Sequence, residues 1–177
     1  DIIRYRIGYA ERGPYSGKII IPSYDCEGQL NYFVSRAFYE NDSYKHKNPK
    51  VSKDIIGFDL LVNWEEPIVL CEGAFDAIAI KRNAIPLFGK IIQPQLQKKI
   101  IEKRVKDIYI CLDADAIRNA LSIAERFMGE GLNVYFIELQ DEDASDLGFE
   151  KITEIIQETG VMTFEQLMQL RMGILWK

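Results

Sequence analysis

The sequence predicts an α/β protein: a mostly parallel β-sheet flanked by helices, preceded by a small α+β lobe built on a β-hairpin. Two observations carry that expectation. From Pro67 onward, short apolar runs alternate with stretches of helical periodicity, the pattern of a parallel sheet covered by helices. Ahead of them, two β-rich runs are separated by a cluster of turn residues, the pattern of a hairpin.

The lobe comes first, over residues 1–62. Residues 17–22 (GKIIIP) form a short apolar strand, residues 25–28 (DCEG) supply the turn, and residues 29–38 (QLNYFVSRAF) return as a strand rich in aromatic and β-branched side chains. Residues 41–53 are polar and basic and read as a loop. The second domain is expected over residues 63–160, with strands at 68–71, 84–88, 108–112 and 134–139. Helices are expected at 75–82, 94–103 and 116–128. In the last of these, Ile117, Ala120, Leu121, Ala124, Phe127 and Met128 make one apolar face, and Gly129 and Gly131 end it. Residues 150–157 and 164–171 read as closing helices. Residues 161–177 are a C-terminal helix that could open a further domain.

Composition narrows the possibilities. The 177 residues are 47% hydrophobic, enough for one core of ordinary size. No run approaches the roughly 18–20 apolar residues of a membrane helix, and the alternating charged and apolar start does not read as a signal peptide. The chain opens mid-pattern at Asp1 and is expected to be a piece of a longer protein. Cys26, Cys71 and Cys111 are far apart, and two of them sit in apolar runs, as space-filling thiols of a reduced, cytoplasmic protein do. With no CxxC pair and a single histidine, His46, a structural zinc site is not expected. Net charge is −5, unlike a bulk nucleic-acid binder. That average hides a split: residues 1–60 hold nine Lys/Arg against eight Asp/Glu, and the remainder thirteen against nineteen.

Three acidic sites fall at or just past strand ends. Glu72-Gly73 follows residues 68–71, with Asp76 four positions on. Asp113-Ala114-Asp115 follows residues 108–112. Asp141-Glu142-Asp143, with Asp146, follows residues 134–139. In a parallel sheet these strand ends share one edge, where functional side chains gather. Converging carboxylates repel by about 4 kcal/mol at about 4 Å and an effective dielectric of 20. Mg2+ or Mn2+, which prefer oxygen ligands, removes that cost. Alternation at a strand mouth would put both side chains of Asp-x-Asp on one side, and Gly73 suits a tight strand-to-helix turn. Each acid alone has a plainer reading. Asp76 could sit in the first turn of its helix, Asp115 could cap the helix at 116–128, and Glu138 and Glu142 could simply be solvated. Capping alone does not readily put acids at three strand ends.

The basic loop is a second feature. Lys45, Lys47, Lys50 and Lys53 occur with no acid among them, flanked by Tyr39 and Tyr44. Such a stretch can contact phosphates and stack on bases, or be a solvated loop. Arg36, on the second hairpin strand, joins the lysines as a candidate nucleotide or nucleic-acid contact.

Residues 68–76 (IVLCEGAFD) resemble the opening of the Toprim fold, shared by DNA primases and topoisomerases. Residues 110–115 (ICLDAD) are similar to its Asp-x-Asp motif. Residues 141–148 (DEDASDLG) resemble the third acidic motif of primases, with Asp143 and Asp146 as its two aspartates and Ala144 where proline is usual. Upstream, residues 17–22 and 25–38 resemble the hairpin before Toprim in bacterial-type primases. Residues 45–49 (KHKNP), with Lys53 and Gly57-Phe58, resemble their basic stretch, which maps Lys45 onto a lysine near the active site. The resemblance spans roughly residues 8–158.

What the resemblance implies is the catalytic core of a phage or bacterial-type DNA primase, making short RNA primers on single-stranded DNA by metal-dependent nucleotidyl transfer. Glu72, Asp113 and Asp115 would be catalytic. The same three, with Asp143, Asp76 and Asp146, would hold two or more Mg2+ or Mn2+ ions, Asp76 in a supporting position. Lys45, Lys47, Lys50, Lys53 and Arg36 would meet nucleotide or template. Partners implied are the template, ribonucleoside triphosphates, a replicative helicase and a zinc-binding module outside this chain, in the cytoplasm of a bacterial host if the protein is phage-encoded. No membrane is implied. The same acids could instead serve Toprim-type phosphodiester cleavage, as in a nuclease or topoisomerase, or a non-catalytic nucleic-acid-binding scaffold.

Overall fold

In the computed structural model, strand β4 (Ile68–Cys71) is the anchor of the second half of the chain. Residues 1–39, 45–139 and 142–175 are described, the last without its side chain. The expected Tyr44 and Asp141 lie outside the described residues. All four side chains of β4 are 2% exposed or less, as befits a strand covered on both faces of a parallel sheet. Around it lie β5 (Ala84–Pro86), β6 (Asp107–Cys111) and β7 (Asn133–Phe136) in the order β5-β4-β6-β7, all parallel. Pro86, which cannot donate to a ladder, stands at the end of an edge strand.

From β4 the chain passes through α1 (Ala74–Ile80) to β5 on one side. It then passes through α2 (Pro94–Glu102) back across β4 to β6. The connections leaving β4 and β6 therefore diverge, and a crevice opens at the carboxyl ends of these two strands, where sheets of this kind bind ligands. From β6, α3 (Ile117–Gly129) leads to β7, and α4 (Ala144–Glu158) and α5 (Phe164–Leu175) close the chain. Helix α4 packs on α1, and α5 on α3. The buried face of α3 is Ala120, Leu121, Ile123, Ala124 and Phe127. It ends as its glycines suggest: Gly131, at φ +84°, donates to the Met128 carbonyl and Leu132 to that of Phe127, both at 3.0 Å, a Schellman-type stop.

Several elements differ from expectation: β5 ends at Pro86 rather than at 88, α5 runs to Leu175 rather than to 171, and a further strand, Gly8–Ala10, precedes the hairpin. Helix α4 begins six residues before the expected 150, because Gly148 (φ +74°) breaks the backbone between its first turn and the rest. Strand β7 ends at Phe136 rather than 139. Beyond α4, Met162 donates to the Val134 carbonyl at 2.7 Å and Val161 bridges Tyr135, so returning chain protects the sheet's outer edge.

The chain divides into two compact units, Asp1–Leu61 and Val62–Lys177. The first holds an antiparallel sheet β1-β2-β3: β1 (Gly8–Ala10), β2 (Lys18–Tyr24) and β3 (Leu30–Ala37). The expected hairpin is β2–β3, and its turn is set by Asp25, whose Oδ1 accepts from the Glu27 and Gln29 amides at 3.0 and 2.8 Å. Ile21, Tyr32, Ile56 and Phe58 fill its core.

Candidate metal and nucleotide site

Glu72 follows β4 directly and Asp113 lies two residues past β6, whose register pairs Cys71 with Cys111; beyond these neighbouring strand ends the two carboxylates come together. Asp113 then opens a 3-10 turn, Ala114–Ala116, whose Ala116 amide donates to the Asp113 carbonyl at 2.8 Å. That turn, rather than strand alternation, swings Asp115 back. Glu72, Asp113 and Asp115 each present one carboxylate oxygen, and the three oxygens lie within 4.8 Å of one another. Such a donor set can hold a metal ion.

Electrostatics mark the same point. Burial, and then the neighbouring charges of Glu72, Asp143 and Asp76, push the Asp113 carboxyl up to about 7. Burial also raises Glu72, whose Oε2 is enclosed without a hydrogen-bond partner. A buried acceptor with nothing donating to it is uncommon, and it is what a site shaped for a cation presents.

Capping does not account for these acids. Asp113 and Asp143 stand at helix N-caps, yet neither makes a side-chain cap hydrogen bond, and α3 is capped by Ala116 rather than Asp115. Asp76 is different. Its Oδ2 accepts from the Gly73 amide at 2.9 Å and its Oδ1 from the Ser145 amide at 3.2 Å, joining the starts of α1 and α4. Burial raises its carboxyl, against the pull of those two donors. Gly73 has an extended backbone (φ −126°) open to any residue. Its smallness matters because a Cβ there would come within 3.2 Å of Asp76 Oδ2.

Of the remaining expected acids, Asp143 is close enough to raise both Asp113 and Asp76 but is not one of the three converging carboxylates. Asp146 is exposed in the first turn of α4. Sequence reasoning missed Lys90. The Gly89 amide donates to the Glu72 carbonyl at 3.2 Å, which holds the β5–α2 loop against the site. There the Lys90 ammonium pairs with Asp115. That hydrogen bond, with the charges of Glu72, Asp115 and Asp113, raises the lysine. Its signal was positional: a Gly-Lys following the strand next to β4, at the same edge as the acids.

The basic candidates belong to the first unit. Residues 45–48 run beside β3: Ala37 donates to the Lys45 carbonyl at 2.8 Å, Lys47 to that of Ser35 at 3.3 Å, and Ser35 to Asn48 Oδ1 at 3.1 Å. Lys45, Lys50, Lys53 and Arg36 are exposed. Lys47 donates to the Pro14 carbonyl at 2.5 Å and lies over the Tyr15 ring, 5.4 Å from its centroid.

No family model matches the chain. An uncharacterized protein of Mycoplasma genitalium is 27% identical over 144 residues, 76% of this chain and 65% of that protein. Among solved structures, the Aquifex aeolicus primase (zinc-binding and RNA polymerase domains) superposes over 85% of this chain with TM-score 0.67 and 22% identity. A chain in the structure of the bacteriophage T7 lagging-strand DNA polymerase interacting with primase domains of two gp4 subunits does so over 91%, with TM-score 0.63 and 18% identity. The match spans 87% of that T7 chain but 42% of the Aquifex one, so this chain corresponds to less than half the length of the latter. A parallel four-stranded sheet with covering helices, together with a three-stranded antiparallel sheet, is the fold of primase catalytic cores, and this chain has it.

Proposed function

We propose that this protein is the catalytic core of a DNA primase, building short RNA primers on single-stranded DNA by metal-dependent nucleotidyl transfer. The observation that carries the reading is the convergence of Glu72, Asp113 and Asp115 within 4.8 Å at the crevice of a primase-type fold. In the reaction a ribonucleotide 3′-hydroxyl attacks the α-phosphorus of a ribonucleoside triphosphate. A new P–O bond forms, the bond to the β-phosphate bridging oxygen breaks, and pyrophosphate departs.

The donor set fits a hard divalent cation: carboxylates, no competing thiolate ligand, and an enclosed Glu72 oxygen awaiting a partner. Mg2+ or Mn2+ held by Glu72, Asp113 and Asp115, with Asp143 at hand for a second ion, would supply the positive charge that the triphosphate and the departing pyrophosphate require. Glu72 would serve either as a further ligand or, with its carboxyl raised by burial, as the general acid/base that takes the hydroxyl proton. Lys90 lies beside the site and can exchange Asp115 for a phosphate oxygen. Asp76 positions the helix starts around the crevice. Lys45, Lys53 and Arg36 would neutralise template or triphosphate charge. A DnaG primase catalytic domain bound to ssDNA, which superposes over 90% of this chain with TM-score 0.68 and 21% identity, supports nucleic acid as ligand. A replicative helicase and a zinc-binding module outside this chain complete the reading, as does the cytoplasm as the place of action, that of a bacterial host if the protein is phage-encoded. No helix is long and apolar enough to cross a membrane among the described residues.

The test supplies single-stranded DNA, ribonucleotides and Mg2+ or Mn2+. Short RNA that disappears with EDTA is expected. Cleaved DNA without RNA would replace the reading with Toprim-type phosphodiester cleavage, and neither product would leave a binding scaffold.

A further inference from the structure

Three aromatic rings stand in the open at one end of the antiparallel sheet. Tyr9, Phe38 and Tyr39 are 47%, 59% and 63% exposed. They are contiguous: Tyr9 and Phe38 meet edge-on at 5.7 Å between centroids, and Phe38 and Tyr39 at 5.1 Å. Single exposed apolar side chains are ordinary. Three rings in mutual contact form a patch that water does not favour.

The sheet register puts Arg36 and His46 on the same face. Tyr9 pairs with Ile19, Ile19 with Arg36, and Arg36 with His46. Directly opposed residues project to one side, so Tyr9, Arg36 and His46 share a face, and Phe38, two positions beyond Arg36, meets Tyr9 on it. The adjoining segment 45–53 carries no carboxylate; by the same alternation Lys45 and Lys47, which flank His46, project from the opposite face, where Lys47 meets the Tyr15 ring. Flat rings beside a guanidinium group on a β-sheet match the chemistry of a single-stranded nucleic acid, whose bases stack on aromatic faces while its phosphates pair with cations.

We infer that Tyr9, Phe38 and Tyr39 form a stacking platform for the bases of single-stranded nucleic acid. The platform deepens the polymerising reading by assigning where template bases are held, and in that sense rests on it. It uses none of the acidic residues.

The experiment measures fluorescence anisotropy of labelled oligo(dT), and of an abasic strand of equal length, in EDTA, with the full chain. The variants are Phe38→Ala/Tyr39→Ala and, to keep the packing at the sheet end, Phe38→Leu alone. Thermal melts confirm that each is folded. The double variant should bind oligo(dT) at least about tenfold more weakly, within the range of base–aromatic stacking, and bind the abasic strand as the parent does. Phe38→Leu should show a smaller loss of the same kind. Equal weakening for both strands, no weakening, or a parent protein that does not prefer oligo(dT) would overturn the platform. Intact, ring-dependent binding without RNA synthesis would remove the polymerising reading and leave the platform standing. Normal RNA synthesis with ring-independent binding would do the reverse.

Discussion

Without a cation, Asp113 stays largely protonated to near-neutral pH, because burial and the charge of Glu72 hold its carboxyl up at about 7. In the unfolded chain it ionises near 3.9. Between those values the folded state binds more protons than the unfolded one, so stability falls as pH rises through this window. Glu72, raised for the same reason, acts in the same direction. The metal-free protein should therefore melt at a higher temperature at pH 5 than at pH 8. Asp113→Asn should flatten that difference, raise the melting temperature at pH 8, and reduce primer synthesis by at least about a hundredfold. An unchanged melting temperature across the two pH values in the parent would remove Asp113 from this role. Lys90 bears on the same balance. Its ammonium pairs with Asp115 and faces two further carboxylates, so it is the counter-charge of the metal-free site. Lys90→Met should melt earlier in EDTA and gain more than the parent on Mg2+ addition. Equal metal-induced shifts would show that the lysine is a bystander.

Helices α1 and α4 begin on either side of one carboxylate. Asp76→Ala leaves the Gly73 and Ser145 amides without their acceptor. Hydrogen bonds to a charged group are each worth about 1.5–3 kcal/mol, set against relief of the buried charge, so a net loss of about 2 kcal/mol in urea unfolding is expected. Metal affinity should fall only as the crevice loosens. A variant that kept full stability while losing the metal would make Asp76 a ligand instead. Here the sequence was legible up to a point. A carboxylate five residues past a strand end could be a ligand or a tie between helix starts, and only the 2.9 and 3.2 Å contacts separate the two. The central strand at 68–71 was readable to the residue, because four apolar side chains in a row fit burial on both faces. Strand β1, three residues long and mostly exposed, has no alternation to read. The first turn of α4 was hidden by Gly148, which interrupts the periodicity. Lys90 escaped because no spacing rule links it to acids that follow other strands. Its place depends on β5 pairing beside β4.

At the scale of the whole chain, a net charge of −5 describes neither half. The acidic surplus lies in the unit that gathers carboxylates, where a cation would offset it, and the lysine row lies in the other. Nucleic-acid affinity should then depend on salt through a few lysines rather than through net charge. Each phosphate contact on a single strand contributes about 0.7 to the slope of log affinity against log salt. Lys45 is exposed, and only its backbone is committed to the sheet. Lys47 spends its ammonium on the Pro14 carbonyl and the Tyr15 ring. Binding of an oligonucleotide between about 50 and 200 mM salt should thus distinguish them. Lys45→Ala should weaken binding and flatten the slope by about 0.7. Lys47→Ala should leave the slope nearly unchanged and lower the melting temperature by loosening the segment that flanks β3. If both substitutions flattened the slope equally, the ammonium of Lys47 would have to leave Pro14 on binding, and the segment would be reorganised by its ligand rather than formed in advance. If neither did, the row would be an ordinary solvated loop, and the charge that meets the phosphates would have to come from elsewhere in the chain.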